Sequence, residues 1–219
     1  VKNGDGSALL NHLDLLEACV CRLVQASSKP VGVKTRLGWD DDHIVIREAA
    51  ERIERAGAAC LIIHGRTREA FYSGKADWKT IAQVKKQAAI PVIVNGDIDS
   101  GKRAKEALEI TGCDGVMVGR AAVGNPFVIR EIKEALSGEE VLAPIRPTPQ
   151  EKIQAAIDHV RLVDEIAPHA GSMKEMRKQL AVYIKGLKGA ARMRTQLFQL
   201  DSGPELIAAL NRFLKEQYE

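Results

Sequence analysis

The sequence lacks most of the devices that would place it in a simple class. Its four cysteines, Cys19, Cys21, Cys60 and Cys113, include no CxxC pair and do not cluster with the five histidines. A disulfide framework or a zinc site is therefore not expected, and reduced, mostly buried thiols in a cytoplasmic protein are. No apolar run approaches the ~20 residues that cross a bilayer, and no signal peptide is visible, so no membrane partner is expected. The formal charge of +3 is too small to name a partner by itself. No acid pair is set up for glycoside hydrolysis, no Ser or Cys nucleophile stands beside a His, and no metal site is expected. Beyond one strand–helix period there is no internal repeat.

What is present is ordinary in bulk and specific in pattern. The 219 residues are 45% apolar and 28% charged, enough for a domain with a sizeable core and a small second unit. The organising stretch is Pro91-Val-Ile-Val-Asn-Gly-Asp97, read with Gly115-Val-Met-Val-Gly-Arg120. Each is a short, mostly β-branched apolar run ending in a polar group beside a glycine, the signature of a buried parallel strand that delivers a ligand contact at its C-terminal end.

Strands are predicted over Val31–Arg36, Cys60–His64, Pro91–Asn95 and Asp114–Gly119. Between them, helices are predicted over Ile44–Ala56, from Asp77 to about Ala89, and from Ser100 to about Thr111, with a further one from Pro126 to Leu136. A first helix precedes them, with Leu9, Leu10, Leu13, Leu16, Val20 and Leu23 at helical spacing and Ser7 or Asn11 as cap. Strand alternating with helix at roughly 25 to 30 residues predicts a parallel sheet of βα units. Four units are half of the eight that close a barrel. The residues thus predict either an open four-stranded sheet or a barrel whose first half lies outside this sequence.

Gly138–Pro149 reads as a linker. Four helices are predicted beyond it, at about Thr148–Ile166, Ser172–Lys185, Ala190–Leu200 and Gly203–Gln217. Thr148 and Glu151 are spaced as a capping box. Between Ser172 and Arg194 seven basic residues face one acid, Glu175. Lys174, Arg177, Lys178 and Lys185 fall on one helical face, with Lys188 and Arg192 following, while Met173, Met176, Leu180, Tyr183, Ile184 and Leu187 form a separate apolar stripe. A basic stripe with almost no interleaved acid is the footprint of phosphate-backbone binding.

The four strand tips present Lys34 with Arg36, His64 with Arg66, Asn95 with Asp97, and Gly119 with Arg120. Converging tips of parallel strands are where such sheets bind ligands. These groups are mostly cationic or amide, so the expected ligand is anionic and hydrogen-bonding.

Here the residues carry a family resemblance. Val33-Lys-Thr-Arg-Leu-Gly-Trp39, Ile63-His-Gly-Arg-Thr-Arg68, Val94-Asn-Gly-Asp97 and Val116-Met-Val-Gly-Arg-Ala-Ala-Val-Gly-Asn-Pro126 resemble the tRNA-dihydrouridine synthases. The tail, Met176-Arg-Lys-Gln-Leu with Tyr183-Ile-Lys-Gly-Leu-Lys-Gly-Ala-Ala-Arg192, is similar to the bacterial B branch. The resemblance implies an α/β fold, the C-terminal half of a (β/α)8 TIM barrel followed by a small all-α helical domain, with residues 1–142 as the partial FMN-binding barrel and 143–219 as the tRNA-binding helices. It implies reduction of uridine to 5,6-dihydrouridine in tRNA, with FMN as cofactor and NADPH as electron donor. Carried over by position, Lys34 would reach the polar edge of the flavin and His64 would line its site near the uracil. Asn95, Gly96, Asp97, Gly119 and Arg120 would hold the ribityl and phosphate. Arg36 and Arg66 are candidate contacts to the RNA or the target base, with Lys174, Arg177, Lys178, Lys185, Lys188 and Arg192 on the tRNA backbone. The family's general acid is a Cys shortly upstream of a Gly-Ser-Ala-Leu-Leu stretch, here Gly6–Leu10, so that Cys is expected before Val1, and the chain is expected to be an incomplete form. The rival expectations are a non-catalytic RNA-binding fragment and another FMN-dependent barrel oxidoreductase. The open edges of a half-barrel add the expectation of self-association.

Overall fold

The computed structural model describes residues 4–138, 146–167 and 170–218. These fall into two compact units, Val1–Gly119 with Ala135–Glu139, and Arg120–Glu134 with Glu140–Glu219. The expected boundary between residues 142 and 143 lies outside the described residues.

The first unit is an α/β sheet unit. Its strands are β1 (Gly32–Arg36), β2 (Cys60–His64), β3 (Val92–Asn95) and β4 (Gly115–Met117). They pair in parallel in the order β1-β2-β3-β4. Sequential parallel order with a helical crossover between neighbours is the arrangement of half of a (β/α)8 barrel. The crossovers are α2 (Ile46–Arg55), α3 (Trp78–Lys85) and α4 (Gly101–Thr111). Asp77 caps α3 by accepting from the Thr80 backbone N–H at 3.0 Å, and Ser100 caps α4 through Arg103 N–H at 3.3 Å. β2 and β3 lie inside the sheet and bury Leu61, Ile63, Val92 and Val94 completely. β1 and β4 lie at its edges among the described residues and are more exposed.

The first helical stretch departs from the pattern. Gly6–Asn11 is a 3-10 turn, and α1 begins at Leu13 and runs to Ala26. His12, with φ −142° and ψ 70°, separates the two and closes the turn by donating to Leu9 O at 2.9 Å. Leu10, Leu16 and Val20 are buried, but Leu23 faces solvent. Arg52 of α2 reaches Asp14 and Glu17 of α1, and Arg55 holds Glu17 at 2.7 Å, so ion pairs line part of this contact.

Among the described residues, the second unit is all helical after its first turns. It holds most of α5 (Phe127–Leu136), then α6 (Pro149–Ile166), α7 (Ala170–Tyr183), α8 (Ala190–Leu197) and α9 (Gly203–Tyr218). The capping box is present: Thr148 Oγ1 accepts from Glu151 N–H at 3.2 Å, and Glu151 accepts from Thr148 N–H at 2.8 Å. Ile153, Ile157, Val160, Leu180, Ile184, Leu197, Leu206 and Leu210 form a closed core. The apolar stripe of α7 supplies Met173, Met176, Leu180, Tyr183 and Ile184 to it, as its spacing predicts.

Candidate functional site

The parallel register sets strand tips side by side. Arg36 pairs with His64, and His64 with Asn95. Side chains at and just beyond these positions therefore gather at one end of the sheet, the end where βα loops bind ligands.

His64 is 6% exposed. Burial, then the positive charges of Arg36, Lys34 and Arg66, lower its pKa to about 4, against a smaller opposing pull from Asp97. Its imidazole is neutral near pH 7. Lys34 is an exposed residue two positions back on β1; partial burial and the neighbouring Arg36 hold its pKa below the ordinary lysine value. Arg36 bridges to the β2–α3 loop, donating from Nη1 to Thr67 O at 2.6 Å and to Phe71 O at 3.1 Å.

Arg66 is turned inward. Its Nε donates to Ser73 O at 2.8 Å, and its Nη2 donates to Gly74 O at 2.7 Å and to both oxygens of Asp97, at 2.8 and 2.9 Å. Its Nη1 is buried and makes no hydrogen bond. Asp97 also accepts from Ala76 N–H at 2.7 Å. Asn95 donates its amide to Met117 O on β4 at 2.8 Å. The guanidinium of Arg66 and the side chains of Asn95 and Asp97 thus shape the tips by internal bonds.

Gly96 has a reason to be glycine. Its φ is +113°, and a Cβ there would lie 2.8 Å from the Ala76 methyl and 2.9 Å from His64 Cδ2. Trp78 closes the underside by donating from Nε1 to Gly96 O at 3.1 Å. At Gly119, by contrast, a Cβ would meet nothing within 4 Å. Arg120 opens a 3-10 turn and belongs to the second unit.

The sequence reading brought Lys34, Arg36, His64, Arg66, Asn95, Gly96 and Asp97 to one end of the sheet, and the structure gathers them there. It did not foresee that Arg66 pairs with Asp97. A signal was available: each lies two residues past the tip of adjacent strands, so parallel register brings them together. It also passed over Trp39, Arg68, Phe71 and Tyr72. Arg68 lies over the rings of Trp39 and Phe71, and Tyr72 lies 6.2 Å from His64. None of the four cysteines stands at a strand tip: Cys60 opens β2, Cys113 precedes β4, and Cys19 and Cys21 are on α1.

On the helical unit, Lys174, Lys178, Lys185, Lys188 and Arg192 are exposed. Lys178 pairs with Glu175 at 2.8 Å and Arg192 with Glu216 at 3.2 Å. Arg177 behaves differently, with its side chain only 11% exposed. It donates to Phe198 O at 2.8 Å and pairs with Asp201, bracing α7 against the turn between α8 and α9. Among the described residues no group of three or more His, Cys, Asp or Glu is arranged to hold a metal ion, and no helix is long and apolar enough to cross a membrane.

A parallel βα sheet in sequential strand order, with cationic and amide groups at its tips, is the architecture of half of a (β/α)8 barrel, and the helical unit that follows exposes cations of its own. The family model for Dihydrouridine synthase (Dus) matches residues 1–217, and the chain belongs to that family. It is 46% identical over 205 residues to the probable tRNA-dihydrouridine synthase 1 of Synechocystis sp., covering 93% of this chain and 57% of that protein. It is 35% identical over 211 residues to tRNA-dihydrouridine synthase B of Proteus vulgaris, covering 96% of this chain and 64% of that one. The chain therefore spans about three fifths of the length of these relatives. Among solved structures, a mandelate oxidase variant with (S)-mandelic acid aligns over 89% of this chain and 68% of that one, with 15% identity and a TM-score of 0.33.

Proposed function

We propose that this chain is part of a flavin-dependent enzyme that reduces uridine to 5,6-dihydrouridine in tRNA, with NADPH as the source of electrons. The observation that carries the reading is the pair Lys34 and His64 on adjacent strands, one cationic and one held neutral by burial and surrounding cations, in a chain that the family matches over residues 1–217.

The residues fit FMN by their chemistry. Gly119 leaves its backbone open, the buried Nη1 of Arg66 is a donor without a partner, and Lys34, Arg36 and Arg66 outnumber Asp97 at the tips. When bound, FMN would supply hydride to one carbon of the uracil C5–C6 double bond. Lys34 would place its cation at the polar edge of that group, where it favours the more negative redox state. His64, neutral, offers a hydrogen bond without adding charge beside the base. Asn95, Gly96, Asp97, Gly119 and Arg120 would form the phosphate and ribityl side, Asn95 and Asp97 chiefly by holding the tip's backbone in place. Arg36 and Arg66 serve the site from behind, the first by anchoring the loop that follows β2. None of the four cysteines stands at a strand tip, so none of them is assigned as the general acid. A target uridine must leave its stack to reach the tips, so base flipping belongs to this reading. Lys174, Lys178, Lys185, Lys188 and Arg192 would hold the tRNA backbone in the cytoplasm, with Arg177 as brace.

A titration with FMN, followed by quenching of flavin fluorescence, tests the cofactor half of the reading. Saturable binding weakened about tenfold or more by Lys34→Ala is expected. Absence of binding, together with retained affinity for tRNA, would favour the second reading, an RNA-binding module without chemistry, which the exposed cations of α7 and α8 support.

A further inference from the structure

The β2–α3 loop presents a feature that the cofactor and phosphate contacts leave unused. Phe71 is 54% exposed and Tyr72 is 51% exposed. Phe71 also has φ +51°, a backbone region that bulky residues rarely occupy. Exposed aromatics usually sit on mobile tips, but this loop is pinned from several sides. Arg36 donates to Thr67 O and Phe71 O, Arg66 to Ser73 O and Gly74 O, and Ala70 N–H donates to Thr67 Oγ1 at 3.2 Å. The loop is also tied to the one after β1, through Arg68 N–H to Gly38 O at 3.0 Å and Glu69 N–H to Trp39 O at 2.9 Å.

The pinned loops carry a stack. The Arg68 guanidinium lies 5.3 Å from the Trp39 ring centroid and 5.1 Å from that of Phe71. The Phe71 ring meets Tyr72 edge-on at 6.0 Å. A strained backbone held rigidly while it exposes rings is a pre-organised surface, and strain of this kind collects at ligand sites. Rings and a guanidinium plane side by side are what proteins use to stack unpaired nucleobases.

We propose that Trp39, Arg68 and Phe71 form a stacking platform for an unpaired RNA base that neighbours the uridine presented to the strand tips. The proposal rests on the tRNA reading above and adds to it a contact that fixes the nucleotide beside the target. Flipping one uridine unstacks its neighbour, and a platform linked to His64 through Tyr72, whose ring lies 6.0 Å from Phe71 and 6.2 Å from His64, gives that neighbour a replacement surface. Asp40, Asp41 and Asp42 follow Trp39 directly. Asp40 is tied to its own loop, accepting from the Asp42 and His43 N–H groups and from the His43 ring.

The test uses this chain, a fluorescein-labelled RNA hairpin with a uridine-rich loop, and the same hairpin with an abasic loop. The chain has two tryptophans, Trp39 and the buried Trp78, so the part of the quenching by RNA that is lost in Trp39→Phe reports Trp39. The expected result is quenching by the uridine loop and not by the abasic one, absent in Trp39→Phe. Phe71→Ala should weaken binding about fivefold or more, the lower end for removal of one stacking ring, and Phe71→Tyr should restore it. Circular dichroism of each variant establishes that the fold is kept. RNA binding of equal strength in wild type and Phe71→Ala, without quenching, would overturn the platform while leaving the tRNA reading intact; it is also the outcome expected if the rings serve a protein partner. Failure of wild-type chain to bind either the hairpin or tRNA would overturn both.

Discussion

Arg66 and Asp97 hold one another across the ends of β2 and β3, with Nη2 2.8 Å from Oδ1 and 2.9 Å from Oδ2. The Arg66 side chain is 3% exposed, so its charge is compensated almost wholly by this partner and by loop carbonyls. Removing one member of such a pair leaves a buried charge without its counter-charge. Asp97→Asn should cost about 3 kcal/mol in urea denaturation, and Arg66→Met with Asp97→Asn together should cost less than the sum of the two. Additive losses would mean that the pair is not coupled.

His64 makes stability depend on pH. Its folded pKa of about 4 lies below the 6.5 of an unperturbed histidine. The unfolded chain therefore binds more protons between those values, and stability falls as pH drops from 6.5 toward 4. The full span is worth at most roughly 3 kcal/mol. Urea midpoints measured at pH 7.5 and pH 5.0 should fall for the wild type, and the histidine's share of that fall should vanish in His64→Gln.

Gly96→Ala should lose both stability and FMN affinity. A Cβ there meets backbone strain and two fixed neighbours, Ala76 and the His64 ring, within 3 Å. Gly119→Ala, with open space at the same test, should leave the thermal midpoint within about 2 °C of wild type. Differential scanning fluorimetry with and without FMN separates the two.

Arg177 and Lys185 should part company: the spacing predicts one helical stripe for both, but α7 ends at Tyr183 and Lys185 lies in the turn beyond it. Arg177→Ala removes a bond to Phe198 O and an ion pair to Asp201 and should destabilise the helical unit by about 2 kcal/mol. Lys185→Ala and Lys188→Ala should leave stability unchanged, weaken tRNA binding, and each lower the salt dependence of log K by about one.

The edges of the sheet make a prediction about assembly. β1 and β4 pair on one side only among the described residues, and an open edge is a template for another strand. Sedimentation velocity from low to high micromolar concentration should show self-association of this chain. A single monomeric boundary across that range would show the edges to be protected.

Much of this architecture could be read from the order of residues alone. Continuous apolar, mostly β-branched runs at regular intervals, alternating with helical patterns, dictate a parallel βα sheet, because such runs can be buried on both faces only between helices. Asp77, Ser100 and the Thr148–Glu151 pair announced their helix starts because capping is local chemistry. The first helix was misread from its leucines, since periodicity is blind to the turn at His12 and to which leucines find a neighbour.

The strand tips show where such reading stops. Sequence determined that Arg36, His64, Asn95 and their neighbours would share one end of the sheet, since each of the three closes a strand and parallel strands end together. Only the tertiary structure decided their duties. Arg66 turns inward to Asp97, Arg177 inward to Asp201, and Phe71 outward on a pinned loop, while Lys34 and His64 come close enough for one to depress the other's protonation. Those choices depend on distances between residues remote in the chain, and both burial and Coulomb forces act through space.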